Sequence, residues 1–203
     1  QTPTRAKRLF FDIIPKTVDD YYAHLEAYQK QSAAEKVENP VFHIHGGNAP
    51  AVKVPVPFTL LLNLVNTAQS DDKAFLWGFV SRYAEGAAAK THPELDRLLD
   101  YAIRYYDDFV LPAKKQRAPT AAEKKALADL LNVLEKLPPS ASAEEIQTEI
   151  YEVGKRAGYA NLREWFQALY EIFLGQPQGP RMGSFIKLYG KGEMAALIRK
   201  TIA

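Results

Sequence analysis

The feature that most constrains this sequence is a recurring signal for the start of an α-helix. Five times, a Thr, Ser or Asn is followed three residues later by an acid and then by apolar residues at the spacing of one helix face. The polar side chain of such a pair accepts a hydrogen bond from the first turn, and the acid accepts one from the capping residue. Each pair therefore predicts an amphipathic helix. The five pairs are Thr17 with Asp20, Thr91 with Glu94, Thr120 with Glu123, Ser142 with Glu145, and Asn161 with Glu164.

Further helices are predicted from apolar stripes and from the positions of Pro and Gly. Asp71 is the predicted cap of a helix over residues 75–83, and the apolar run at 57–65 favours a buried helix, although a strand fits its periodicity too. Near the end of the chain, Pro180 suits a first turn and Gly190 suits a left-handed C-terminal cap. A last stripe runs from 194 to 202.

Only residues 8–14 and 41–44 are predicted to be extended. Residues 46–57 contain too much Gly and Pro for regular structure. The predicted fold is therefore mainly α: a multi-helix bundle or cage whose loop-rich N-terminal third carries at most short strands. A charged turn at 114–119 predicts a soft boundary between a first part, 1–118, and a second helical part, 119–203.

Composition and the ends of the chain restrict the class of protein. The net charge of +2 comes from 26 basic and 24 acidic residues, so an RNA-binding surface would have to be a local patch. The chain contains no Cys, which excludes disulfides and thiolate metal sites. Its most apolar run is about half of the ~20 residues that span a membrane. We expect a cytoplasmic protein without a membrane segment and, since it opens on Gln1, a piece of a longer chain.

Signals for catalysis are absent, and the signals for a metal site are weak. The sequence lacks a G-x-S-x-G elbow, a P-loop and a dinucleotide-binding glycine fingerprint. His43 and His45 would share one face of a strand, but zinc requires three or four ligands. We therefore predict no catalytic residue and no metal ligand. A structural role for the two histidines is favoured, and a small metalloenzyme stays an alternative.

Three clusters of basic residues are the best candidates for binding. Lys and Arg close to aromatic residues suit contacts with RNA phosphates and bases, although a solvated surface fits the same residues. A helical domain that binds another protein is the alternative of a different class. The clusters are Arg5, Lys7 and Arg8; Lys114, Lys115 and Arg117; and Arg181 with Lys187.

Three collinear stretches resemble the C-terminal half of bacterial class I lysyl-tRNA synthetases: RAKRLFFDIIPKTVDDYY (5–22), DRLLDYAIRYYDDFVLP (96–112) and WFQALYEIFLGQPQGPRMGSFIKLYG (165–190). NPVFHIHGG (39–47) and LWGFVSRYA (76–84) look like the same family. The resemblance implies a stem-contact-like first part and a helical cage that grips the anticodon stem-loop of tRNA-Lys. The His-Ile-Gly-His and Lys-Met-Ser-Lys-Ser motifs of the family's catalytic domain are absent, so we expect this chain alone to be catalytically inactive.

The resemblance also implies which residues contact the RNA. The final segment is similar to the anticodon-binding end of glutamyl-tRNA synthetases, and it implies that Arg181, Ser184, Phe185 and Lys187 lie near RNA. Lys114, Lys115 and Arg117 are predicted as further contacts. The aromatic residues implied to pack beneath this surface are Trp165, Phe166, Tyr170 and Tyr189. We expect a monomer without a cofactor of its own; the parent enzyme would attach lysine to tRNA-Lys with ATP and magnesium.

Overall fold

The computed structural model describes residues 10–203, and within that range it contains helices and no β-strand. The mainly α prediction is therefore confirmed. Short 3-10 turns lie at Phe11–Ile13 and Leu111–Ala113, and a π turn lies at Tyr106–Val110. The helices are α1 (Ile14–Lys30), α2 (Ala33–Glu38), α3 (Pro40–Ile44), α4 (Phe58–Ala68), α5 (Lys73–Tyr83), α6 (Pro93–Tyr105), α7 (Ala121–Lys136), α8 (Ala143–Arg156), α9 (Leu162–Phe173), α10 (Met182–Tyr189) and α11 (Lys191–Ile202). None of these helices is long and apolar enough to cross a membrane.

Both predictions of extended structure are wrong where the structure describes the chain. Residues 41–44 belong to α3, because the Asn39 side chain accepts a hydrogen bond from the Val41 N–H at 3.0 Å and Pro40 occupies the first helical position. Of residues 10–14, only Phe10 has an extended backbone. Residues 8 and 9 lie outside the described residues, as does the basic cluster of Arg5, Lys7 and Arg8.

Reciprocal capping bonds confirm two of the predicted helix starts. Thr120 with Glu123 and Ser142 with Glu145 each exchange side-chain and backbone hydrogen bonds at the starts of α7 and α8. Asn161 caps α9 by accepting from the Arg163 N–H at 3.0 Å. The apolar run near residue 60 is helical, as favoured. Ser32 forms the same kind of capping box with Glu35 and starts α2. This pair is not among the five predicted above.

Other helix starts differ from the predictions by one to four residues. Pro15 lies in the first turn of α1, so this helix begins before Thr17, whose hydroxyl donates to the Ile13 carbonyl inside it. Pro93 similarly starts α6 after His92 rather than after Thr91. Asp72, and not Asp71, caps α5. At the end of the chain, α10 starts after Arg181, and Gly190 ends it with a φ of +104°. The exact first residue of a helix thus depends on the position of proline and of the nearest side chain that accepts a hydrogen bond.

The chain divides into two compact units, Gln1–Thr59 and Leu60–Ala203. In the described part of the first unit, α1 and α3 pack around Leu25, Tyr28 and Val41. Asp19 accepts hydrogen bonds from the backbone N–H groups of Phe58 and Thr59 at 2.5 and 3.2 Å, and so caps the start of α4. The boundary predicted at residue 118 stays a prediction.

In the second unit, α10 packs closely against α8. Gly183 makes this possible: a Cβ at this position would overlap the Ala143 carbonyl oxygen and lie 2.7 Å from the Gln147 Cβ. The Gly183 N–H donates to the Gln147 side chain at 2.7 Å, so the buried amide of Gln147 has a partner. Trp165 of α9 is fully buried nearby, and its indole donates to the Ile150 carbonyl at 3.0 Å.

A three-membered ion pair attaches the loop before α7 to two helices of the second unit. The Arg117 guanidinium donates to Glu123 of α7 at 2.7 and 2.8 Å and to Glu171 of α9 at 2.6 Å. The Arg117 hydrogen bonds lower the pKa of Glu123 to about 2, although its burial acts in the opposite direction. Since a bidentate pair of an Arg with a carboxylate is strong, this contact stabilises the fold.

We expect Gly183→Ala to destabilise the protein, because its Cβ would meet backbone and helix atoms that cannot move independently. Overpacking of this kind costs about 1–3 kcal/mol. Gly192→Ala is the matched control: it also lies in a helix, and its Cβ would meet nothing within 4 Å. Urea unfolding should show a lower free energy of unfolding for Gly183→Ala. For Gly192→Ala, the free energy of unfolding should be unchanged or slightly higher. Equal stability of both variants would contradict the close packing of α10 against α8.

Glu123 should make folding sensitive to acid. Its pKa is near 4.5 in the unfolded chain and about 2 in the folded one, so its contribution is present above pH 4.5 and is lost as the pH falls toward 2. Glu123→Gln should remove on the order of 2–3 kcal/mol at neutral pH, and the difference from wild type should shrink between pH 4.5 and 2. Glu164→Gln, on an exposed residue of α9, serves as the control. If the difference in free energy of unfolding between Glu123→Gln and wild type does not change with pH, the role of Glu123 is disproved.

Candidate nucleic-acid interface

An open groove with a volume of about 640 Å³ runs between α8, α9 and the loop that follows α9. We call it the aromatic groove. Its lining combines aromatic rings, one guanidinium and two side-chain amides. The lining residues are Tyr151, Leu162, Arg163, Phe166, Gln167, Tyr170, Pro177, Gln178 and Gly179.

Three aromatic rings form one wall of the groove. The ring centroids of Tyr151 and Phe166 are 5.0 Å apart, and those of Phe166 and Tyr170 are 6.4 Å apart. Tyr151 is 41% exposed, and the other two rings are partly exposed. Partly exposed rings beside an open groove are the surface on which unstacked RNA bases pack.

The loop after α9 is held against the Tyr170 ring. The Tyr170 hydroxyl donates to the Pro180 carbonyl at 2.9 Å, and burial raises the pKa of Tyr170, so the hydroxyl stays protonated. A Cβ on Gly179 would lie 2.5 Å from the Tyr170 ring, so only glycine allows the backbone to approach the ring this closely. The wall of the groove is therefore defined by the fold.

Arg163 supplies the positive charge of the groove. It lies in the first turn of α9, its side chain is exposed, and it forms no ion pair with a carboxylate of residues 10–203. An exposed guanidinium in the first turn adds its charge to that of the helix N-terminus, where anions bind favourably. The groove thus offers one cation and several stacking faces to a ligand.

The residues predicted on α10 have different environments. Arg181 is exposed and pairs with Glu144 at 3.0 Å, whereas Ser184 is half-buried. The Lys187 ammonium donates to the Ala141 carbonyl at 2.7 Å. Phe185 is 0% exposed and stacks on Tyr189 at 5.7 Å. Because its ring faces the core, Phe185 is a packing residue in this structure and cannot stack on a base.

The basic cluster at 114–117 lies beside the end of α9. The Lys115 N–H donates to the Gly175 carbonyl at 2.9 Å, and its side chain is exposed. The Lys114 ammonium donates to the Asn66 carbonyl at 3.2 Å. Arg117 is neutralised by two carboxylates and belongs to the fold. Within residues 10–203, no hydrogen bond or ion pair joins these three side chains to Arg181 or Lys187.

The sequence signals missed most of the aromatic groove. Phe166 and Tyr170 are predicted as packing, and Tyr151 and Arg163 are in no predicted site. One signal was available: α9 carries apolar or aromatic residues over more than one face, because Phe166 and Tyr170 lie beside the buried Trp165 and Leu169. An apolar surface wider than the stripe that a core requires indicates a second function for the helix.

The histidine pair is not part of a metal site in the described chain. His45 Nε2 lies 2.9 Å from the Tyr21 hydroxyl, and the His43 ring contacts Phe42. Because residues 41–44 form a helix, the two histidines do not share the face that a strand would give them. Among residues 10–203, no group of three or more His, Cys, Asp or Glu side chains is placed to hold a metal ion.

Comparison with known proteins identifies a family over most of the second unit. The anticodon-binding domain family matches residues 72–202, a range that includes all of the groove. The chain is 48% identical over 200 residues to the lysine–tRNA ligase of Rickettsia rickettsii (strain Sheila Smith), covering 98% of this chain and 38% of that protein. It is 48% identical over 204 residues to the lysine–tRNA ligase of Rickettsia bellii (strain OSU 85-389), covering 100% and 39%.

The chain thus spans less than two-fifths of the length of these relatives. The family match covers more than half of the chain, and it contains the helices α5 to α11. This chain therefore belongs to the anticodon-binding domain family.

Proposed function

We propose that this chain is the tRNA-binding part of a class I lysine–tRNA ligase and binds the anticodon stem-loop of tRNA-Lys in the aromatic groove. One observation carries the proposal: an open groove inside the segment that matches the anticodon-binding family is lined by three partly exposed rings and by Arg163, which pairs with no carboxylate of residues 10–203. Stacking and cation contacts of this kind are how proteins bind single-stranded RNA loops.

Each part of the groove has a role in this proposal. The rings of Tyr151 and Phe166 stack on unpaired bases of the loop. Arg163 contacts a phosphate. Gln167 donates to Glu171 at 2.7 Å, so its carbonyl oxygen remains to accept from a base edge. The Tyr170 hydroxyl binds no RNA, because it holds the loop at Pro180.

Residues outside the groove extend the proposed surface. The ion pair between Arg181 and Glu144 is exposed. Breaking it therefore costs little free energy, and Arg181 can then bind an RNA phosphate instead of the Glu144 carboxylate. Lys115 is exposed and available for a phosphate, and Ser184 and Lys187 remain proposed contacts on α10. Arg117 is left out, because direct ion pairs with Glu123 and Glu171 already hold its guanidinium.

In the whole ligase, we propose that lysine is attached to tRNA-Lys with ATP and magnesium by residues outside this chain. The chain alone would then bind tRNA-Lys without catalysis, as a monomer in the cytoplasm. What supports this is the identity of 48% to lysine–tRNA ligases over essentially the whole chain.

The first test measures binding of the tRNA-Lys anticodon stem-loop and of the same stem-loop with changed anticodon bases. We expect tighter binding of the native loop. Arg163→Gln should weaken binding and reduce the slope of log affinity against log salt by about 0.7, because one phosphate contact is lost. Lys200→Gln removes the same charge from an exposed position on α11 and should change neither. If neither stem-loop binds, the alternative of a helical domain that binds another protein is favoured. If both bind equally, the chain does not read the anticodon.

The second test separates stacking from packing with two Phe variants. Phe166→Ala should reduce the free energy of RNA binding by about 1–3 kcal/mol, as expected for one stacked base. Phe185→Ala should instead lower the free energy of unfolding by about 3–5 kcal/mol, because its ring is fully buried. Urea unfolding and RNA titration on the same samples distinguish the two. A Phe166→Ala variant that binds RNA like wild type would exclude the groove as the stacking surface.

A further inference from the structure

The second unit contains another open cavity, with a volume of about 570 Å³, which we call the Lys114 cavity. It is bounded by the end of α4, by the π turn after α6 and by the loop at 114–116. The residues used below are Gln69, Asp71, Asp107, Leu111, Lys114 and Gln116. The volume falls within the range of about 300–1,000 Å³ that is typical of ligand sites.

Lys114 places a half-buried cation in this cavity. Its ammonium has three donors, and one of them reaches the Asn66 carbonyl at 3.2 Å. No carboxylate of residues 10–203 forms an ion pair with it, and burial lowers the pKa of its ammonium. Lys73 and Arg117, by contrast, each pair with two carboxylates. A partly desolvated cation without a counterion is stabilised when an anion binds.

Two walls of the cavity have unusual backbone conformations. Gln69 has a φ of +49°, in the left-handed region that side chains other than Gly rarely adopt. The opposite wall includes the π turn Tyr106–Val110. Both conformations cost energy and occur preferentially at functional sites. Together with the cation, they are a second indication that this cavity binds a ligand.

The cavity lies next to the loop that forms the aromatic groove. The Asn66 side chain donates to the Leu174 carbonyl at 2.8 Å, and the Lys115 N–H donates to the Gly175 carbonyl at 2.9 Å. A Cβ on Gly175 would lie 2.6 Å from the Lys114 side chain, so these segments are in direct contact. Residues 177–179 of the groove follow Gly175 after a single residue. The cavity and the groove therefore both border the segment that follows α9.

We propose that the Lys114 cavity binds one nucleotide of the same RNA loop, with its phosphate at the Lys114 ammonium. This inference rests on the proposed function. The Leu111 side chain offers an apolar surface to the base, and the Gln69 amide donates to and accepts from the base edge. The Gln116 amide nitrogen already donates to the Ile172 carbonyl at 2.7 Å, so its carbonyl oxygen remains to accept. The carboxylates of Asp71 and Asp107 accept hydrogen bonds from ribose hydroxyls. Since DNA lacks the 2′-hydroxyl, the site distinguishes RNA from DNA.

The test uses backbone amide NMR of the ¹⁵N-labelled chain. The probes are the tRNA-Lys anticodon stem-loop, its version with 2′-deoxyribose in the loop, and the four ribonucleoside monophosphates. We expect the RNA stem-loop to shift the amides of Gln69, Asp107 and Leu111, and the deoxyribose loop to shift them less. A monophosphate that shifts them while the stem-loop does not would identify a free-nucleotide site and overturn the proposal.

Three variants test the role of Lys114. Lys114→Met keeps the aliphatic stem and should weaken stem-loop binding about tenfold, as expected for the loss of a charged hydrogen bond. Lys200→Met, at the exposed position on α11 that has no role in the proposed surface, is the control and should leave binding unchanged. Lys114→Arg restores the charge and should restore most of the binding. Thermal unfolding of each variant shows whether the loss of affinity follows a loss of folding, which would overturn the proposal.

The outcomes also separate this inference from the proposed function. If the stem-loop shifts the amides of Tyr151 and Phe166 but leaves those around the Lys114 cavity unchanged, the groove binds RNA and the cavity does not. The inference then fails alone. If the stem-loop shifts neither set, both proposals fail.

Discussion

The close packing of α10 against α8 at Gly183 is the constraint on which the candidate site depends. With a side chain there, α10 would meet the Ala143 carbonyl and the Gln147 side chain, and the helix would have to move away. The start of α10 fixes the position of Pro180, whose carbonyl accepts the hydrogen bond of Tyr170. Tyr170 in turn supports the loop that closes the aromatic groove. The shape of the groove therefore depends on the packing of α10 against α8.

The second determinant is the division of cations between folding and binding. The chain has a net charge of only +2, so its total charge does not indicate RNA binding. Arg117 contributes to folding, because Glu123 and Glu171 surround its guanidinium and hold it between α7 and α9. Arg163 and Lys114 have no such carboxylate partners among the described residues. The local pairing of each cation, rather than the count of basic residues, separates the two groups.

Local signals in the sequence predicted the parts of the structure that depend on local bonds. The capping boxes at Thr120 and Ser142 formed as expected, because both hydrogen bonds of each box lie within four residues. The prediction at 41–44 was wrong, because the Asn39 cap and Pro40 start a helix there. The groove could not be derived from α9 alone: the ring of Phe166 faces Tyr151, which belongs to α8, so its exposure depends on how two helices pack. For the same reason, sequence could not show that Phe185 is buried.

The central claim is that the aromatic groove is the surface that contacts the RNA loop. Nuclear Overhauser effects between aromatic protons of the chain and base protons of the tRNA-Lys anticodon stem-loop measure this contact directly, because they arise only between protons that are close in space. We expect these effects between the loop bases and the rings of Tyr151 and Phe166. Effects confined to exposed rings elsewhere in the second unit, such as Phe75 of α5, would contradict the claim.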